Sequence, residues 1–221
     1  MGTFSIEQKD NLIWLGRYTE RVFTTIKFYC TTYDRMIDSN MEYYQTFCQS
    51  LDIPNIYASK EDFLQKYPFD EENPDSLYSN LIRAYNNAVV LREEIGSEAL
   101  AYIQLAVYEM QKAGVSDAPL IPLQKVMDNL LAFWGAEDDG IDNEHIRNLV
   151  KLGKRIERLD LYSRLEMPTG MMKRETARLR HRIGTTGLQY RKEALEQLVE
   201  MTREEHIDYS EVVRKIEKLA V

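Results

Sequence analysis

The sequence predicts an all-α fold, a single domain over residues 1–221 that forms a bundle of about eight to ten helices. Apolar residues recur at spacings of three and four along most of the chain, as they do on the buried face of a helix. No stretch of the sequence alternates apolar and polar residues over the length of a strand. The motif Leu-Gly-Arg-x-x-Glu-Arg also occurs in two similar copies, which favours two equivalent central helices.

The first copy lies in the first predicted helix, beside a stripe of residues spaced by three and four: Leu12, Leu15, Thr19, Val22, Ile26, Tyr29 and Tyr33. Gly16 lies at the edge of this stripe, although glycine destabilises a helix by roughly 1 kcal/mol relative to alanine. We therefore expect another backbone or side chain to approach closely at Gly16. Glu20 follows one turn later, where a half-buried carboxylate needs a cation or hydrogen-bond donors. Arg17 and Arg21 lie close enough to contribute.

The second copy of the motif occupies residues 152–158 and reads Leu-Gly-Lys-Arg-Ile-Glu-Arg. Its glutamate is Glu157 and its final arginine is Arg158. This repetition is compatible with an internal duplication. Two interpretations of the charged side chains remain open. They form a structural ion-pair network that fixes how the helices pack, or they form a cluster that binds a ligand or takes part in catalysis.

Start and stop signals divide the chain into predicted helices at 5–37, 40–51, 59–67, 74–95, 97–113, 119–134, 143–166, 171–183, 188–201 and 209–220. Ser5, with Gln8 three residues later, favours an N-cap for the first helix, and Pro54 follows the end of the second. Ser59 precedes acidic residues that suit the first turn of the third helix. Pro74 suits the first position of the fourth helix.

The second half of the chain is divided by similar signals. Ser97 starts the fifth helix and Gly114 ends it. We expect the sixth helix to be anchored by Val126, Leu130, Leu131 and Phe133. Residues 135–143 are predicted to form an acidic linker, with Asp142 as the cap of the seventh helix. Pro168 limits that helix, and three shorter helices follow it.

Few residues suit a metal or a reactive thiol. Cys30 and Cys48 are the two cysteines, so neither a disulfide framework nor a thiolate metal site is indicated. No Glu-x-x-His pair occurs, and His145, His181 and His206 are far apart in the sequence. We therefore predict no metal site and no cofactor.

The charge and apolar patterns also limit the partners and the location. The net charge of −8 argues against nucleic-acid binding, and the basic segment 173–182 has no interleaved aromatic residues. No apolar run approaches the roughly 20 residues that a membrane-spanning helix needs. The start of the sequence lacks a basic region followed by an apolar one, so no secretory signal is predicted. We expect a cytoplasmic protein that binds neither nucleic acid nor membrane.

The two motif copies, the segment Asn73-Pro74-Asp75-Ser76 and the polar residues of the fourth helix together resemble the bacterial alpha-E domain family. The resemblance runs from about residue 6 to about residue 165. Residues 166–221 differ from the family pattern. Within the pattern, Asn86 replaces a glutamate, while Tyr85, Val89 and Lys154 replace arginines.

The resemblance implies a helical domain that acts with other proteins. Family members are often encoded beside, or fused to, ATP-grasp proteins of the amide-ligase type and transglutaminase-like proteins. The first hypothesis is therefore a non-catalytic accessory or scaffold protein with an ATP-grasp-type ligase as its partner. The alternative is an enzyme or small-molecule binder whose arginines hold an anionic amino acid or peptide. A homo-oligomer formed through Trp134 and tyrosine faces is compatible with either hypothesis.

Both hypotheses use one predicted polar centre. Its members are the charged motif residues and three polar residues of the fourth helix: Arg17, Glu20, Arg21, Arg83, Asn87, Arg92, Glu157 and Arg158. Residues 83 and 87 are one turn apart, so their side chains can share a face, whereas Arg92 lies at a different angle.

Overall fold

The computed structural model describes residues 4–38 and 42–219, and over these ranges it contains ten α-helices and no strand. The all-α prediction is therefore confirmed. The helices are α1 (Ile6–Asp38), α2 (Tyr43–Leu51), α3 (Lys60–Lys66), α4 (Leu77–Val90), α5 (Arg92–Gly114), α6 (Leu120–Gly140), α7 (Glu144–Arg164), α8 (Thr169–Thr185), α9 (Lys192–Met201) and α10 (Tyr209–Leu219). Within the described residues, no helix is long and apolar enough to cross a membrane.

Several helix ends follow the predicted capping chemistry. At the start of α1, the Ser5 hydroxyl accepts a hydrogen bond from the Gln8 backbone N–H, and the Gln8 side chain accepts one from the Ser5 N–H, both at 3.0 Å. This reciprocal arrangement is the predicted capping box. Ser59 likewise accepts a hydrogen bond from the Asp62 N–H at 3.2 Å and caps α3. These two helix starts are confirmed.

Other predicted boundaries were wrong. Helix α4 begins at Leu77 instead of Pro74, because the Ser76 side chain caps it by accepting a hydrogen bond from the Ser79 N–H at 3.0 Å. Asn143 caps α7 in place of Asp142, with the His145 N–H as donor.

The predicted acidic linker 135–143 is largely helical, because α6 continues through Gly140. The prediction failed because the last part of α6 is rich in acidic residues, which are typical of an exposed linker. Its buried face nevertheless continues to Glu137. Leu131 is 54% exposed and does not anchor the helix as predicted. Helix α9 begins at Lys192, four residues after its predicted start. The predicted boundaries at residues 40 and 220, and the start of the N-terminal segment, lie outside the described residues.

Helix α1 is the central helix of the bundle. It packs against α7 and α4, and its two halves belong to different parts of the core. The C-terminal half meets α2, α3 and the hairpin of α5 and α6, where the aromatic side chains Tyr29, Phe47, Phe63 and Tyr67 cluster. The N-terminal half meets the second half of α4 and the first half of α7. A third part of the core joins α7 to α8, α9 and α10.

Candidate functional site at the crossing of α1 and α7

The backbones of α1 and α7 touch at the two motif glycines. A Cβ atom added to Gly16 would lie 1.9 Å from the carbonyl oxygen of Val150. A Cβ atom added to Gly153 would lie 1.9 Å from the carbonyl oxygen of Ile13. The close approach expected at Gly16 is therefore present. Because Ile13 and Val150 occupy the same motif position, the two contacts are equivalent, as an internal duplication predicts.

Glu157 of α7 is fully buried and binds two arginines of α1. The Arg17 Nε donates to one carboxylate oxygen at 2.8 Å, and the Arg21 Nε donates to the other at 2.5 Å. Burial alone would raise the pKa of Glu157, but the charges of Arg21 and Arg17 outweigh it and lower the pKa. The carboxylate is therefore held in its ionised form.

Glu20 of α1 is also fully buried and binds Arg158 of α7. The Arg158 Nε and Nη2 donate to its two oxygens at 2.6 and 2.7 Å, which is a bidentate pair. The Thr24 hydroxyl donates a further hydrogen bond at 2.7 Å. Each motif glutamate thus takes its arginine from the opposite helix. The five charged residues Arg17, Glu20, Arg21, Glu157 and Arg158 are hereafter called the Arg/Glu centre.

The remaining predicted members lie outside the Arg/Glu centre. Arg83 donates to the Pro74 carbonyl oxygen at 2.8 Å, and its guanidinium lies 5.9 Å from the centre of the Tyr18 ring. The Asn87 amide donates to the Asn11 carbonyl oxygen at 3.5 Å. Arg92 is exposed, since it begins α5 after the break at the end of α4. The structure does not bring these three residues to the glutamates.

The comparisons identify the family of the chain. A family model described as a predicted alpha-helical domain with a conserved ER motif matches residues 8–168. This segment contains both Glu-Arg pairs of the Arg/Glu centre. The chain belongs to the Alpha-E family. Curated proteins and solved structures gave no match to it. The Alpha-E match ends before α8, so helices α8 to α10 are additional to it.

Lys154 breaks the symmetry of this Alpha-E domain. It occupies the motif position of Arg17, but its Nζ lies 3.6 Å from the centre of the Trp134 ring, in a cation–π arrangement. Among the described residues it makes no ion pair with Glu20. Burial lowers the pKa of Lys154 to about 7.

Glu137 lies beside this lysine and is fully buried. Its nearest cation is Lys151, with 3.7 Å between Nζ and the carboxylate, and within the described residues neither carboxylate oxygen has a hydrogen-bond partner. Burial raises the pKa of Glu137 to about 7, partly offset by the charges of Lys151, Lys154 and Arg182. Sequence reasoning missed this residue because it ended α6 at Trp134. Continuing the helical stripe by four residues from Phe133 would have placed Glu137 inside.

A cavity of about 170 Å³ borders the Arg21 end of the Arg/Glu centre. Tyr67, Asp160 and Arg164 line it, and none of them was predicted as a site residue. Asp160 had a sequence signal, because it lies one turn beyond Glu157 of the second motif. Tyr67 had none, since it reaches the cavity through the tertiary packing of α3 against α1.

In the parts of the chain that the structure describes, no group of three or more histidine, cysteine or acidic residues could hold a metal ion.

Proposed function

We propose that this Alpha-E chain is a helical accessory protein that binds an ATP-grasp-type peptide or amide ligase and performs no catalysis of its own. One observation supports the non-catalytic part of this proposal: every carboxylate oxygen of Glu20 and Glu157 already accepts a hydrogen bond from an arginine of the opposite helix. Both glutamates are fully buried. A substrate would therefore have to break interior ion pairs, which favours a structural role for the Arg/Glu centre.

The nature of the partner is supported by the family resemblance. Alpha-E domains are often encoded beside, or fused to, ATP-grasp proteins of the amide-ligase type, and a protein that holds its charged motif inside has its surface free for such a partner. A cytoplasmic location belongs to the same proposal. The alternative, in which the Arg/Glu centre itself binds an anionic amino acid or peptide, is less favoured because Arg17, Arg21 and Arg158 already neutralise buried carboxylates.

The structural role is tested by replacing each motif glutamate with glutamine. Glu20→Gln and Glu157→Gln keep the shape of the side chain but leave arginines without a buried counter-charge. We expect each variant to lose about 3–5 kcal/mol of unfolding free energy, measured by urea denaturation. The matched control is Glu196→Gln, because Glu196 pairs with Arg180 at the surface and both side chains are about half exposed. The control should change stability by less than about 1 kcal/mol.

The partnership is tested with purified proteins. The chain is mixed with an ATP-grasp amide ligase encoded beside an Alpha-E gene, and complex formation is followed by size-exclusion chromatography with light scattering. We expect a stable complex and a change in the rate of ligation. If no complex formed and the rate of ligation did not change, the accessory role would be contradicted. Variants of Glu20 or Glu157 that keep normal stability but lose binding would instead support a site at the Arg/Glu centre. Light scattering of the chain alone tests the predicted homo-oligomer.

A further inference from the structure

The cavity beside Arg21 has charged walls of both signs. Its 170 Å³ lie between α1, α4, α7 and the segments that follow α2 and α3. The charged side chains of its lining are Arg21, Asp52, Asp75, Glu157, Asp160 and Arg164. Four carboxylates thus face two guanidinium groups. The Asp52 side chain is 87% exposed and lies 3.6 Å from Arg164, while Glu157 is held by Arg17 and Arg21. Walls that carry charges of both signs suit an occupant that itself carries one positive and one negative group.

Several polar groups of the lining have hydrogen-bonding capacity that is not used. Tyr67 is only 2% exposed as a residue and lines the cavity, and within the described residues its hydroxyl is not one of the enclosed polar atoms that lack a partner, which is expected of a group that borders open space. Burial raises the pKa of Tyr67, so the hydroxyl stays protonated and can donate. Arg21 uses its Nε on Glu157, and within the described residues its further contacts are a long one of 3.4 Å from Nη1 to Asn80 and one of 5.8 Å to the centre of the Tyr18 ring. Because these groups border the cavity, water or a ligand can take up their remaining hydrogen-bonding capacity.

Asp160 supplies the matching acceptor. It is 7% exposed and accepts one hydrogen bond, from the Arg164 Nε to Oδ2 at 2.9 Å. Within the described residues, its Oδ1 has no hydrogen-bond partner. Burial raises the pKa of Asp160, and the charge of Arg164 opposes that effect. A positively charged donor close to Oδ1 would stabilise the ionised carboxylate.

The size of the cavity limits the occupant. An apolar cavity of about 150 Å³ binds benzene, a molecule of about six non-hydrogen atoms. The 170 Å³ beside Arg21 are therefore enough for a molecule of about the size of alanine or serine. The polar walls exclude an apolar occupant of this size, because it would leave the charged groups unpaired.

We propose that this cavity binds a small α-amino acid as its zwitterion. The ammonium group lies at Asp160, and the carboxylate accepts hydrogen bonds from Arg21 and the Tyr67 hydroxyl. Mixed charge, unused donors and acceptors, and volume all fit this class of ligand. The site uses the N–H groups of Arg21 that do not bind Glu157, so the ion pairs of the Arg/Glu centre stay intact. A negative result would leave the proposed partnership with a ligase unaffected.

Isothermal titration calorimetry with defined probes tests the ligand class. Glycine, L-alanine and L-serine are the zwitterions, while N-acetyl-L-alanine and L-alaninamide each lack one of the two charges. We expect at least one zwitterion to bind at millimolar concentration, and each blocked form of alanine to bind at least about tenfold more weakly than alanine itself. Ethylamine and acetate, which carry one charge each, should not bind. Binding of ethylamine alone, of acetate alone, or of no probe at all would overturn the proposal.

A conservative variant tests the position of the ligand. Tyr67→Phe removes a hydroxyl that lines the cavity and keeps the ring in its aromatic cluster, so the variant should fold as the wild type does and bind the zwitterion about tenfold more weakly. The matched control is Tyr29→Phe, in the same aromatic cluster. The Tyr29 hydroxyl donates to the Leu64 carbonyl oxygen at 3.1 Å and lies outside the cavity lining. Equal affinity of Tyr67→Phe and the wild type would contradict the proposed site, as would an equal loss in both variants.

Discussion

Gly16 and Gly153 set the distance between the two helices that carry the motif. Each glycine faces a carbonyl oxygen of the other helix, with no space for a methyl group. This contact explains why Glu20 and Glu157 are fully buried, because helices that approach so closely exclude water from the side chains one turn away. The glycines and the buried ion pairs are therefore parts of one arrangement. The close helix contact at the glycines buries the two glutamates, and buried carboxylates need arginine partners.

We expect Gly16→Ala and Gly153→Ala to destabilise the protein. Alanine favours an isolated helix by roughly 1 kcal/mol over glycine. The added methyl group would, however, lie 1.9 Å from a backbone oxygen, and only a shift of a whole helix can relieve that contact. Overpacking typically costs about 1–3 kcal/mol, and we expect a net loss of at least the upper value here. Urea denaturation measures the difference in unfolding free energy.

Gly135 offers the matched control for this experiment. It lies inside α6, and a Cβ atom added there would meet nothing within 4 Å. Gly135→Ala should therefore follow helix propensity alone and stabilise the protein by roughly 0.5–1 kcal/mol. If Gly16→Ala were stabilising to the same extent as Gly135→Ala, the helices would not be in backbone contact.

At the level of single residues, the sequence predicts what depends on local spacing. The position of Gly16 at the edge of an apolar stripe was enough to predict a close helix contact, with Glu20 beside it. It was not enough to place Arg83 or Arg92, because the direction of a long side chain on a neighbouring helix depends on packing. Lys154 illustrates the same limit: it is a basic residue like the arginine at its motif position but contacts Trp134 in place of a glutamate.

Capping residues predicted some helix starts correctly and others not, since α4 and α7 are capped by Ser76 and Asn143 and not by the expected residues. Ser5 and Ser59 cap helices as expected. The last turns of α6 were misread as a linker because its exposed side is acidic there, although Glu137 continues the buried side. An acidic segment thus predicts exposure of most of its residues and says little about whether the backbone is helical.

Helix α5 contains a break that makes a separate prediction. Gly96 has φ 80° and ψ 163°, a conformation that residues with a side chain rarely adopt, and it divides the first turn of α5 from the remainder. A Cβ atom there would meet nothing within 4 Å, so Gly96→Ala tests backbone conformation alone. We expect a loss of about 1–2 kcal/mol, measured by thermal unfolding. A gain like that expected for Gly135→Ala would show that residue 96 is helical in solution.

Over the whole molecule, α1 and α7 connect the three parts of the core. The aromatic part depends on the C-terminal half of α1, and the third part depends on the C-terminal half of α7. The number of helices and the pairing of the two motif helices were predictable from periodicity and repetition. The positions of α8, α9 and α10 were not, because their amphipathic faces fit any exposed apolar surface equally well. The cavity beside Arg21 was not predictable either, because its walls come from segments that are far apart in the sequence.

Two groups, one on α6 and one on α7, predict how the stability of the folded chain depends on pH. The pKa of Glu137 is raised from 4.5 to about 7, and the pKa of Lys154 is lowered from 10.5 to about 7, in both cases chiefly by burial. Between about pH 4.5 and 7 the folded chain keeps a proton on Glu137 that the unfolded chain has lost, so this group makes stability fall as pH rises. Between about pH 7 and 10.5 only the unfolded chain keeps the proton of Lys154, so stability rises with pH.

We expect Glu137→Gln to remove the falling part of this profile and Lys154→Met to remove the rising part. Because one pKa unit corresponds to about 1.4 kcal/mol, the wild type should lose a few kcal/mol more than Glu137→Gln between about pH 5 and 7.5. Urea midpoints at about pH 5, 7.5 and 9.5 measure both parts. The exposed control Glu196→Gln should follow the wild type at each pH. Parallel profiles of Glu137→Gln and the wild type would mean that Glu137 ionises in the folded chain as easily as in the unfolded one.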